Sequence, residues 1–149
     1  MQTKSFVTSL VILHGAMTAG TLLFIAIAYF VDRTDTPSSD SQPFIFVVPI
    51  LAIGCLLASF YAPKGRIQAA KAIPDLDKKL ELYRGAQIIK YAVLEGAALF
   101  GVVAYLTDYN IMFLAISAIL LVAMIWVRPT RDRIIADLSL NSREQAVLQ

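Results

Sequence analysis

The run YAVLEGAALFGVVAYL (91–106) holds a single carboxylate, Glu95, and no other charge lies within four residues of it. A carboxyl in apolar surroundings is suited to two kinds of chemistry. It can take up and release a proton or a small cation, or it can stay protonated and hydrogen-bond between helices. Two other polar groups could approach it. His14 and Thr18 lie in a second apolar run, LHGAMTAGTLLFIAIAYFVD (13–32). A histidine can relay protons near neutral pH, and both side chains can also act as interhelical hydrogen-bonding groups. Lys90, five residues before Glu95, is long enough to snorkel toward an interface. Glu95 is not.

Other chemistries find no support in the sequence. The chain has one Cys and one His, which rules out an intramolecular disulfide and a four-ligand zinc site. Cys55 sits inside an apolar block and reads as a small packing residue. No glycine-rich phosphate loop, catalytic triad or nucleic-acid motif is present. The expectation is a non-enzymatic protein with no cofactor, no metal and no nucleic-acid partner.

The elements that must position these groups follow from hydropathy. The 149 residues are 58% hydrophobic and 16% charged, against about half and about a quarter in ordinary soluble domains. The apolar residues fall into four blocks, at about 6–31, 43–62, 82–107 and 111–127. Each reads as long enough to cross a hydrocarbon core as a helix, and a backbone in lipid must satisfy its own hydrogen bonds. This predicts an all-α integral membrane protein, a single membrane domain over 1–149 with four transmembrane helices. Residues 63–81 then form a connector and 128–149 a tail.

Eleven of the thirteen Lys and Arg residues lie at the N-terminus, in or beside the connector, or in the tail. Arg33 stands alone on the other side, beside Asp32, Asp35, Asp40 and Asp108. That bias places both termini in the cytoplasm of a multi-pass protein of the inner (plasma) membrane. The small residues AIA at 26–28 resemble a signal-peptide cleavage site, but the first block is longer than a signal core.

Residues 13–32 and 89–108 share the pattern A-x-x-x-G-x-x-x-F-x-x-x-A-Y-x-x-D. The second helices also end alike, in YAPKGRI and VRPTRDRI. We read this as an internal repeat of a helical hairpin, giving two parallel hairpins related by an axis along the membrane normal. The repeated positions are Ala16, Gly20, Phe24 and Ala28 in the first helix, and Ala92, Gly96, Phe100 and Ala104 in the third. Small residues let helices approach closely in lipid, so the two helices are expected to meet along this stripe; the alternative is that the stripe docks another protein. Tyr29 and Tyr105 are expected as interfacial anchors, and Pro49 as a kink in the second helix.

The segment RGAQIIKYAVLEGAALFGVVAYL (84–106) resembles the carboxylate-bearing helix of rotary ATP synthase c subunits. Arg84-Gly85 stand about three turns before the acid, and Ala98, Leu99, Phe100, Gly101, Val103 and Leu106 fit the residues that follow it. The resemblance implies that Glu95 is a carboxylate that carries protons or sodium.

Outside the apolar blocks, Pro74, Asp75 and Asp77 open a helix that runs on into the third block. Leu76, Leu80 and Tyr83 share one face of it, which reads as a stalk on the membrane surface; the alternative is a docking site for a partner. Asn141 and Glu144 have the spacing of a capping box. The whole reads as a protein embedded in the lipid bilayer that associates with itself or with a larger membrane complex. The alternative is a proton- or cation-coupled translocation component built on Glu95.

Overall fold

A computed structural model describes residues 3–31 and 42–147. Among them the chain is helical with no strand: α1 Thr3–Phe30, α2 Gln42–Lys71, α3 Leu76–Asp108, α4 Ile111–Trp126, α5 Arg131–Leu138 and α6 Ser142–Val147. The polar stretch holding Asp32, Arg33, Asp35 and Asp40 lies outside the described residues. Helices α1, α2 and α3 are long and apolar enough to cross a membrane. The fourth expected span differs. α4 has 16 residues, about 24 Å at 1.5 Å per residue, and the chain then turns by 77° into α5. The bent pair counts as a fourth crossing if taken together.

The expected connector is not a separate segment. α2 continues through Pro49 and Pro63 to Lys71, and α3 begins four residues after the turn at Ala72. The Asp75 side chain caps α3 by accepting from the Asp77 amide at 3.0 Å, satisfying an N-terminal amide that the helix leaves without a partner. At the other end Tyr109 takes a left-handed conformation (φ 53°) and Asn110 caps α4 through the Met112 amide. These two turns make α2–α3 and α3–α4 the packed hairpins.

α3 is the centre of the bundle. In its most apolar stretch 44% of residues are buried, against 17% for α1 and for α2. It lies against α2 most extensively, then α4, then α1, while α1 and α2 form no comparable contact. This corrects the expectation of two equivalent hairpins, because the first and second helices do not pack as the third and fourth do. The reason lies in α3, whose buried Ala86, Ala97, Ala98, Gly101 and Ala104 let three neighbours approach it from different sides. α1 and α3 run parallel and level. His14 meets the Tyr91 ring near one end, and Ala28 shares a cluster with Val102, Tyr105 and Phe113 at the other. Tyr105 is fully buried there, so it is a packing residue and not the expected anchor. Tyr29, Tyr61 and Trp126 are exposed.

The tail folds back on the bundle. Ile134, Leu138 and Leu140 join Leu80, Tyr83, Phe6 and Leu10 in one buried cluster. The Tyr83 hydroxyl donates to Asp137 at 2.9 Å, and Lys79 pairs with Glu144 at 2.7 Å. The Leu76–Leu80–Tyr83 face, expected to rest on the membrane surface, is therefore covered by the chain's own tail. Asn141 and Glu144 form a reciprocal cap: the Glu144 amide donates to the Asn141 side chain at 2.9 Å, and the Asn141 amide to the Glu144 carboxylate at 2.9 Å.

Candidate functional site

The repeated small-residue row does not form the α1–α3 contact along its length. Ala16 and Gly20 of α1 are exposed, as are Ala92 and Gly96 of α3. Phe24 and Phe100 are half-buried, and only Ala28 and Ala104 are buried. A Cβ added at Gly20 or Gly96 would meet nothing within 4 Å. The cause is geometric. Four residues overshoot one turn of an α-helix by about 40°, so a row at four-residue spacing winds around the helix. The residues of α1 that do face inward are Leu10, His14, Met17, Thr21 and Ala28, at the mixed three- and four-residue spacing of a packed helix face.

The first halves of both rows therefore remain open, and α1 and α2 make no extensive contact beside them. On α3 this open face carries Ile88, Ala92, Gly96 and Val103, all exposed. Glu95 lies at its edge, half-buried, next to the buried Leu94. The neighbouring Gly96 borders open space, with nothing within 4 Å of a Cβ placed on it.

His14 and Thr18 are not brought into a hydrogen bond with Glu95. His14 is 7% exposed, and its Nε2 lies 2.9 Å from the Met124 carbonyl oxygen. A carbonyl only accepts, so Nε2 carries the proton in this contact. Met124 is in the last turn of α4, and its carbonyl also accepts from the Val127 amide at 3.2 Å. The imidazole thus caps α4 from α1, and its ring meets Tyr91 edge-on at 4.7 Å between centroids. Thr18 donates to the His14 carbonyl at 2.8 Å, within its own helix. It lines an apolar cleft of about 570 Å³ between α1 and the end of α4, together with His14, Leu22, Ile125 and Arg128. Glu95 does not line that cleft.

A close approach of α3 and α4 lies elsewhere. The Ser117 hydroxyl of α4 lies 2.8 Å from the Ala98 carbonyl of α3 and 3.0 Å from its own Phe113 carbonyl. A Cβ on Gly101 would collide with Ser117 Oγ and stand 3.2 Å from the Phe113 carbonyl oxygen. Gly101 is thus the glycine that a helix contact requires, and it lies outside the repeated row. Ser117 is the single hydroxyl residue of α4, which was the available sequence signal. Its partner could not be read from it.

Among the described residues no group of three or more His, Cys, Asp or Glu side chains could hold a metal ion. Comparison with known proteins returns no matching family model, no matching curated protein and no matching solved structure.

Proposed function

We propose that this protein is a non-enzymatic membrane subunit that receives another transmembrane helix on the open face shared by α1 and α3, from a second copy or from a larger complex. The observation that carries the reading is Glu95, a carboxyl on an open helix face, while His14 and Thr18 direct their hydrogen bonds to backbone carbonyls of Met124 and His14. A charged group facing hydrocarbon costs about 2.5–3.5 kcal/mol. A further helix would remove that exposure, and Ala16, Gly20, Ala92 and Gly96 let its backbone come close. In this reading the end carrying Arg84, Arg128, Arg131 and Arg133 faces the cytoplasm of the inner membrane, by the charge bias.

The test is thiol cross-linking in native membranes. A Gly96→Cys chain with Cys55 replaced by Ser should give cross-linked dimers, or adducts to one partner. A monomer under all oxidising conditions would overturn the proposal.

A second reading is supported by the accessible edge position of Glu95 and by the c-subunit resemblance of 84–106. Here Glu95 is a proton or sodium site. It requires that carbodiimide label Glu95 and that sodium or rising pH suppress the labelling. Failure to label at any pH would remove this reading and leave the first standing.

A further inference from the structure

A second feature, independent of Glu95, lies at the end of the bundle where α4 gives way to α5. α2, α3, α4 and α5 line a cleft of about 420 Å³, with Lys90 contributed by α3. Its apolar wall is Leu56 and Phe60 of α2 with Trp126 and Val127 at the end of α4, and its polar wall is Lys90, Arg133 and Asp137. The two walls differ in what their charges already do. Asp137 accepts the Tyr83 hydroxyl at 2.9 Å. One Arg133 nitrogen donates to the Trp126 carbonyl at 3.3 Å, leaving the rest of the fork free to bind. Lys90 is half-buried, and its ammonium lies 5.7 Å from the centre of the Phe60 ring. The ion pair described at this end joins Lys79 to Glu144 and does not involve Lys90. The cleft therefore presents two cations against one carboxylate, beside exposed aromatic surface.

We propose that this cleft binds the phosphate headgroup of an anionic phospholipid. Lys90 and Arg133 contact the phosphate, and an acyl chain lies along Phe60 and Trp126. The charge asks for an anion. Phe60 and Trp126 are 47% and 77% exposed, and an acyl chain would cover apolar surface that a free phosphate would leave bare.

The experiment is native mass spectrometry of the full chain in neutral detergent. It is titrated with dioleoyl phosphatidylglycerol, dioleoyl phosphatidylcholine or inorganic phosphate. The expected result is retention of phosphatidylglycerol about tenfold above phosphatidylcholine. Lys90→Gln with Arg133→Gln should abolish that preference. Lys64→Gln with Lys71→Gln, which removes the same charge outside the cleft, should keep it. Equal retention of both lipids, or equal loss in the two double variants, would overturn the site. Inorganic phosphate binding as tightly as the anionic lipid would overturn its assignment to a lipid. If circular dichroism shows that the cleft double variant does not fold, Arg133→Gln alone serves, because Arg133 is exposed. It should lower the preference, and an unchanged preference counts against the proposal.

Discussion

At the scale of single residues, glycines of the same composition have opposite consequences. Gly101 faces Ser117 with no room for a methyl group, whereas Gly96 faces open space. Gly101→Ala should destabilise the isolated chain by about 1–3 kcal/mol, as overpacking does. Gly96→Ala should leave its stability unchanged. Unfolding in mixed detergent micelles, followed by circular dichroism, checks both. His14 gives a third case. His14→Ala leaves the Met124 carbonyl at the end of α4 with only the Val127 amide as donor, and loss of one hydrogen bond costs about 0.5–1.5 kcal/mol. The loss should register as faster amide exchange at the end of α4. If His14 were instead a relay for Glu95, the variant would alter carbodiimide labelling at Glu95 and leave α4 untouched.

At the scale of elements, the tail is held by a small set of polar contacts over an apolar seat. The side chains of Lys79 and Glu144 are only 8% and 15% exposed. The hydrogen bond from Lys79, helped by the Asn141 amide, holds the Glu144 carboxyl below its ordinary value of 4.5. A carboxyl depressed in the folded state contributes stability that is complete above its unfolded value and is lost as pH falls through its folded value. Docking of α6 should therefore be intact above about pH 4.5 and weaken on acidification below it. Glu144→Gln should weaken docking already at neutral pH and flatten the acid response. Hydrogen exchange over 131–147 measures both. An acid response that survives in Glu144→Gln would assign the effect to another group. Leu80, Tyr83, Ile134 and Leu138 stay buried in this region, so α5 should hold after α6 has loosened.

At the scale of the whole molecule, the exposed residues of α1, α2 and α4 are largely apolar, including Ile12, Leu23, Phe46, Ile50, Ile119 and Val122. Surface of that extent and chemistry suits lipid. The open face between α1 and α2 differs from the rest in its small residues and in Glu95. If another helix occupies it, Gly20→Leu with Gly96→Leu should abolish association and leave the monomer folded, since neither position touches a neighbour within the chain. Size-exclusion chromatography with light scattering reads the outcome. Association that persists in this variant would move the interface elsewhere.

Much of this architecture was legible in the sequence because it depends on local properties. Apolar runs of bilayer length become helices wherever the backbone must satisfy itself, and the caps at Asp75 and Asn141 depend on residues two or three positions away. Side-chain facing was not legible. A row at four-residue spacing looks like one face in a sequence but drifts by about 40° per step, so Gly20 and Gly96 ended outside the contact that Ala28 and Ala104 entered. Partners distant in the chain were equally hidden: His14 meets a carbonyl 110 residues away, and Lys79 meets Glu144 across 65 residues. By itself the sequence determined the helices and their apolar character, because hydrogen bonding within a helix and transfer from water act residue by residue. The tertiary structure alone decided that α3 is central, that α1 and α2 stand apart, and that Glu95 lies on an open edge. Those outcomes depend on which helix surfaces fit together, a property of pairs of helices.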